Sequence, residues 1–307
     1  MLRRNFVFSG IAASAAAGFA GAVQGQTEGQ GSSKPSNKFK LKYAPHFGMF
    51  KHHAMDSLDQ IRFAADQGFT AWEDNGMMKR GSDFQNKFAA LLQKLEMTMG
   101  VFVSYSGFGS SDMMTKTDKG YQDHLRKSMT EALETAKRVN AKWSTVVPGN
   151  INLKIEESYQ TANLVENLKV MAEVCEKQQH VMVLEPLNWW ANHPGLFLRE
   201  IPQAYSICKA VASPSCKILN DLYHQQISEG NLIPNMDRAW SEIAYFQVGD
   251  NPGRKEPTTG EINYRNIFSH LSRKGYQGIV GMEHGNSRGG KDGEQAVINA
   301  YRQCDNF

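Results

Sequence analysis

Read from residue 38 onward, the chain alternates short apolar runs with longer segments whose apolar positions recur every three to four residues. The first run, Phe39 to Ala44, alternates apolar and basic residues as a half-buried strand does, and Pro45-His46-Phe47-Gly48 breaks it. Leu58, Ile61, Phe63, Ala64 and Ala65 then fall at helical spacing from Ser57 to Gln67, with Gly68 as the stop. Strand Phe69 to Glu73 precedes a helix over Ser82 to Leu95, with Ser82 as the expected N-cap. Strand Thr98 to Tyr105 is followed by a polar, Gly-rich loop from Ser106 to Gly120 and by a helix from Tyr121 to Asn140.

The rhythm continues with strand Trp143 to Val147, helix Glu157 to Gln178, strand His180 to Glu185, helix Ile201 to Val211 and strand Lys217 to Leu222. Helix Asn235 to Glu242, strand Ala244 to Val248, helix Tyr264 to Lys274, strand Gly278 to Glu283 and helix Gly293 to Gln303 complete it. Eight strands alternating with eight helices predict an α/β fold, a single (β/α)8 TIM barrel over residues 38–307. An open doubly wound sheet is the alternative, and the absence of Gly-x-Gly-x-x-Gly after the first strand counts against it.

The barrel reading gives four strand ends a common meaning. Glu185, Asp221, Gln247 and Glu283 each close an apolar run, separated by 36, 26 and 36 residues, about one strand-helix unit each. Parallel strands would bring all four to one mouth. Three carboxylates and an amide oxygen form a hard donor set suited to Mg²⁺ or Mn²⁺, more than to zinc or copper. Any one such acid taken alone would be an ordinary surface residue; their shared place in the topology is what singles them out. The same set allows one glutamate to cycle through its protonated form beside the ion. His224, three residues beyond Asp221, and Arg254, in the loop after Gln247, are donors suited to a substrate's oxyanion and hydroxyl oxygens.

Composition changes this picture little in the body of the chain and more at its start. The 307 residues are 41% hydrophobic and 21% charged with a net charge of +3, an ordinary globular balance that gives no sign of nucleic acid or polyanion binding. Met1-Leu2-Arg3-Arg4-Asn5-Phe6-Val7 leads an Ala-rich run to Ala22 without an acidic residue, which reads as a twin-arginine signal peptide over 1–22. That run is too short for a stable membrane span, so export to the periplasm is expected, with a retained anchor as the alternative. Residues 23–37, rich in Gly, Gln and Ser, read as a disordered linker. Cys175, Cys208, Cys216 and Cys304 lack Cys-x-x-Cys spacing and are expected as buried thiols, with a Cys208–Cys216 pair as the alternative.

Several stretches carry a resemblance. Glu185-Pro186-Leu187-Asn188, Asp221-Leu222-Tyr223-His224-Gln225-Gln226-Ile227, the run from Asp250-Asn251-Pro252-Gly253-Arg254 through Glu256-Pro257 to Gly260-Glu261-Ile262-Asn263-Tyr264, and Gly275-Tyr276-Gln277-Gly278 resemble hydroxypyruvate isomerases. More broadly, the chain is similar to the xylose isomerase-like sugar isomerases and epimerases. The resemblance implies a divalent metal at Glu185, Asp221, Gln247 and Glu283, with the two glutamates moving a proton through a cis-enediolate. It implies substrate contacts at His224 and Arg254, and Asn188 is a further substrate-site candidate.

The chain departs from the pattern at Trp189-Trp190-Ala191-Asn192-His193, which is longer and more aromatic; Trp189 and Trp190 are candidates for the apolar face of a sugar, or for packing under a loop. His46 and Glu73 are further substrate-site candidates from the poorly matched first half. The expected activity is conversion of hydroxypyruvate to tartronate semialdehyde. The alternatives are a keto-sugar 3-epimerase, a keto-glycoside lyase and a non-catalytic sugar-binding protein, with a metal nuclease the least supported. A small hydroxycarbonyl or sugar is the expected partner, and a homo-oligomer is possible.

Overall fold

The structure, a computed structural model, describes residues 38–307; the expected signal peptide and linker lie outside the described residues. The strands are β1 (Lys42–Ala44), β2 (Ala71–Trp72), β3 (Thr98–Met99), β4 (Val103–Ser106), β5 (Trp143–Val147), β6 (Val181–Leu184), β7 (Cys216–Asp221), β8 (Ile243–Gln247) and β9 (Ile279–Gly281). Seven form one parallel sheet in the order β1-β9-β8-β7-β6-β5-β4, and β2 and β3 form a parallel pair. Backbone bonds from Glu73 N–H to the Pro45 carbonyl and from Thr145 N–H to the Phe102 carbonyl extend the ring on either side of that pair. The expected third strand is thus two pieces, β3 and β4, interrupted where Gly100 passes the side chain of Tyr245.

Alternation along each strand sorts side chains between two cores. Inside the ring sit Ala44, Ala71, Val101, Val183, Leu219, Tyr245 and Ile279, mostly small or branched residues. Outside it, Met182, Leu184, Ile218, Phe246 and Val280 pack under the helices. Those helices are α1 (Ser57–Asp66), α2 (Ser82–Lys94), α3 (Asp112–Thr115), α4 (Lys119–Val139), α5 (Glu157–Glu176), α6 (Ile201–Val211), α7 (Leu222–Ser228), α8 (Leu232–Ala239), α9 (Tyr264–Arg273) and α10 (Gly290–Asp305).

Several helix ends differ from expectation, two of them for clear local reasons. Gly81, not Ser82, is the N-cap of α2, and it offers no side chain to cap with. The helix expected over Asn235 to Glu242 begins at Leu232, because Pro234 fits a first turn whose N–H groups need no partner, and it ends in a 3₁₀ turn, Trp240–Glu242. The loop after β4 contains α3, whose Met113 carbonyl and the following Lys116 carbonyl both accept from the buried Asn167 amide on α5. All four cysteines are free and buried. Among the described residues no helix is long and apolar enough to cross a membrane.

Candidate active site at the barrel mouth

Strand direction and alternation deliver the four sequence-selected residues to one place. Glu185 follows β6, Asp221 closes β7, Gln247 closes β8, and Glu283 lies two residues past β9; Asp221 is paired in register with Gln247, and Gln247 with Gly281. Asp221 is also the N-cap of α7, its carboxylate accepting from Tyr223 N–H at 2.9 Å. Helix α7 therefore starts at the strand end and turns His224 back over the mouth. Candidate ligand atoms of Glu185, Asp221 and His224 lie within 4.8 Å of one another, all buried.

Arg254 closes the cluster. Its backbone sits in the left-handed region, φ 51°, in a loop organised by Asp250, whose carboxylate accepts from the N–H groups of Asn251, Gly260 and Ile262. The guanidinium reaches Asp221 Oδ2 at 2.9 Å and Glu283 Oε2 at 3.2 Å, donates to the Glu283 carbonyl, and lies over the Tyr223 ring. Asn75, from the loop after β2, donates to Glu283 Oε1 at 3.0 Å; nothing in its sequence context singled it out.

The electrostatics follow from crowding acids in a dry site. Burial first, and then the charges of Glu283 and Asp221, push Glu185 well above the usual carboxylate range. Burial lifts Glu283 to about 7, against the pull of Arg254. Asp221 is raised by burial, opposed by Arg254 and the amides of Tyr223 and His224. On Arg254, burial works against the charge, but Asp221, Glu283 and Glu185 together hold it firmly on. One guanidinium among three carboxylates leaves the site short of positive charge.

Whether a divalent cation suits this place can be tested on the polar atoms. Among the described residues, Gln247 Oε1 is buried without a hydrogen-bond partner, an oxygen that a cation would satisfy, and Glu283 Oε2 is buried with the Arg254 guanidinium 3.2 Å away. The residues therefore fit an oxygen-coordinated dication. His224 Nε2 is also unpartnered, but its ring is set up to donate. Both the backbone N–H and the side-chain amide of Asn188 point at His224 Nδ1, at 3.3 and 2.6 Å. With Nδ1 as acceptor, the ring proton belongs on Nε2, and burial holds the imidazole neutral, well below its ordinary pKa. A protonated Nε2 cannot ligate, so His224 is a donor beside the ligand set, 3.5 Å from Asp221 Oδ2.

A cavity of about 740 Å³ opens above these groups, lined by Glu185, Glu283, His224 and Arg254 at its floor and by Met78, Tyr105, Phe108, Leu187 and His193 on its walls. The other sequence candidates sit apart from it. Trp189 donates its indole N–H to the Leu196 carbonyl and is covered by the Arg199 guanidinium, while Trp190 is 81% exposed. The aromatic wall comes instead from Tyr105, Phe108 and His193, with Phe108 and His193 at 5.3 Å and His193 and His224 at 5.4 Å. His193 was visible in the unusual loop after Asn188, but the tryptophans there are the louder signal. His46 lines a smaller cavity beside the mouth, its ring nitrogens at hydrogen-bond distance from the carbonyls of Phe47 and His284. Glu73 is buried below the cluster, bonded to Tyr245 and Gln247.

The fold and this mouth belong to a recognised class: residues 61–304 match the model of the xylose isomerase-like TIM barrel, and the chain belongs to that family. Among its relatives, hydroxypyruvate isomerase of Escherichia coli (strain K12) is 32% identical over 165 residues, which cover 54% of this chain and 64% of that enzyme. The chain therefore spans just under two thirds of that relative's length. The 2-oxo-tetronate isomerase of Cupriavidus necator is 28% identical over 240 residues, 77% of this chain and 89% of the relative. Among solved structures, 3-keto-D-glucoside 4-epimerase from E. coli superposes with a TM-score of 0.71 at 18% identity, covering 87% of this chain and all of that one. An AP endonuclease of family 2 from Brucella melitensis superposes with a TM-score of 0.70 at 24% identity, covering 85% and 99%.

Proposed function

We propose that the protein is a metal-dependent isomerase or epimerase that moves a proton at the carbon beside a carbonyl of a small polyhydroxylated substrate. The observation that carries this reading is a buried Glu185 and a partly buried Glu283, both with raised proton affinities, lining one cavity, with the unpartnered Gln247 Oε1 on the neighbouring strand end. Glu185, Asp221, Gln247 and Glu283 would hold a Mg²⁺ or Mn²⁺ ion, which when bound supplies positive charge to polarise a carbonyl and an adjacent hydroxyl.

The chain's own groups then divide the work. An ionised glutamate takes the proton from the carbon to give a cis-enediolate. The other glutamate, protonated, delivers its own proton to the far side of that carbon, or to the neighbouring carbon while the hydroxyl proton passes to the former carbonyl oxygen. His224 presents Nε2–H to the oxygen on which negative charge develops, and Asn188 keeps that tautomer in place. Arg254 offsets the carboxylate charge and fixes Asp221 and Glu283. Phe108, Tyr105 and His193 exclude water from one face of the substrate.

Identity to hydroxypyruvate isomerases supports hydroxypyruvate as substrate, with tartronate semialdehyde as product. The cavity favours a second reading. At about 740 Å³ it is in the range that encloses ligands much larger than a three-carbon acid, and its aromatic wall suits the C–H face of a sugar, as in a keto-sugar 3-epimerase or a keto-glycoside lyase. Turnover of hydroxypyruvate, ketoses and 3-keto-glycosides with added Mn²⁺, followed by mass spectrometry, separates these: isomerase and epimerase products keep the substrate mass, and a lyase product is lighter. Binding of a sugar without turnover of any of these compounds would replace the proposal with a sugar-binding protein. Export through the twin-arginine pathway remains part of this proposal; a reporter fused after residue 37 that stays in the cytoplasm would exclude it.

A further inference from the structure

We infer that Glu73 is a positioning residue that fixes the side-chain amide of Gln247, so that its carbonyl oxygen and not its NH₂ faces the ligand cluster. This rests on the metal site proposed above. A glutamine amide is nearly symmetric in shape, but its two ends are opposite in chemistry: one offers a lone pair to a cation and the other repels it. A glutamine ligand therefore works only if something selects its orientation.

Glu73 does so from beneath. Gln247 Nε2 donates to Glu73 Oε1 at 3.4 Å, which leaves Gln247 Oε1 turned away, buried and unpartnered. The orientation of Glu73 is itself fixed. The Tyr245 hydroxyl accepts from Val101 N–H at 3.4 Å, so its own proton is available to Glu73 Oε2, 2.9 Å away. The Tyr245 hydroxyl thereby occupies Oε2 and leaves Oε1 as the oxygen that meets the NH₂ end of Gln247.

The barrel is built around this relay. Alternation along β8 points Tyr245 and Gln247 to the same inner face, and β2 delivers Glu73 opposite them. Two glycines leave the room, Gly281 at the end of β9 and Gly100 between β3 and β4. A Cβ on Gly281 would lie 2.1 Å from Glu73 Oε2, and one on Gly100 would lie 2.3 Å from the Tyr245 hydroxyl and 3.1 Å from Glu73 Cβ. Glycine in or beside a strand often marks where another group comes close, as the Glu73 and Tyr245 side chains do here.

The test is Mn²⁺ binding by calorimetry in the absence of substrate, with the full-length protein. Glu73→Leu removes the acceptor, and Glu73→Gln keeps the volume while allowing either amide orientation. Both are expected to weaken Mn²⁺ binding, Glu73→Leu by about 10- to 100-fold and Glu73→Gln by less. In a Gln247→Glu background, where both ends of the ligand are oxygens, Glu73→Gln is expected to cause no loss. A merely structural role for Glu73 would instead weaken binding in both backgrounds. Wild-type affinity in Glu73→Leu and Glu73→Gln, or a crystal structure whose Gln247 NH₂ points at the ligand cluster, would overturn the inference. No Mn²⁺ binding by the wild type would remove the metal proposal itself, and this inference with it.

Discussion

Glu294 gives the sharpest stability prediction because its carboxylate is buried and fully used by one loop. Its two oxygens accept from the backbone N–H of His52 and His53 at 2.6 and 2.9 Å, and from the Nδ1 of the same residues at 2.9 and 2.6 Å. This pins the loop after β1, which carries His46 and borders the mouth, to the first turns of α10. Glu294→Gln keeps one acceptor oxygen and replaces the other with an NH₂ group facing two donors. Two charge-assisted bonds are lost, and the backbone N–H of one histidine cannot turn away, so the cost is about 3 to 5 kcal/mol. For a domain of this size that is a fall in Tm on the order of 10 °C.

The pH dependence has a definite sign. Burial raises the affinity of Glu294 for a proton, but the four N–H donors outweigh it and hold the carboxyl below its ordinary value. A depressed carboxyl stabilises the fold above the unfolded carboxylate range and loses that contribution as pH falls through the folded value. Urea denaturation of wild type and Glu294→Gln should therefore show a gap that is full at pH 7 and narrows as the pH drops below the carboxylate range. A gap under about 1 kcal/mol at pH 7, or one that widens on acidification, would refute the reasoning.

Other substitutions read out other parts of the molecule. His180 is buried against the Ser144 hydroxyl and the Ala141 carbonyl, and burial pushes it down to about 4. The unfolded chain then binds the extra proton between the ordinary histidine value and about 4, so stability should fall by about 3 kcal/mol over that window, a slope that His180→Gln flattens in urea titrations. Gly281→Ala places a methyl group into Glu73 and should destabilise the protein by about 1 to 3 kcal/mol in chemical denaturation, with Mn²⁺ affinity falling as well; a neutral result would show that Glu73 has room to move. Phe108 is half exposed on the cavity wall, so Phe108→Ala should leave the melting temperature nearly unchanged while raising KM for sugar substrates more than for hydroxypyruvate.

The ring of strands was legible in the sequence because each apolar run ends in a helix signal, and Glu185, Asp221, Gln247 and Glu283 were legible because direct attachment to a strand end fixes a residue's place in a barrel. Residues that act through loops were harder to see. Asn75 reaches Glu283 from a short turn with no periodicity, and Phe108 sits in a loop whose composition predicts only that it is irregular. Trp189 and Trp190 left two readings open for a physical reason: a large aromatic side chain is needed as much to cover a loop, as Trp189 does with Arg199, as to cover a substrate. The relay from Tyr245 through Glu73 to Gln247 joins residues 172 and 174 positions apart, a contact that only the closed barrel creates.

The proton transfer assigned to Glu185 and Glu283 is tested most directly by solvent exchange. The Mn²⁺-loaded protein in D₂O, given hydroxypyruvate and a panel of keto-sugars, should place one deuterium on the carbon beside the carbonyl of at least one of them. Glu185→Gln and Glu283→Gln should each abolish that incorporation while the protein stays folded. Deuterium incorporation at the wild-type rate in either variant, or turnover by the wild type without any incorporation, would contradict the assignment.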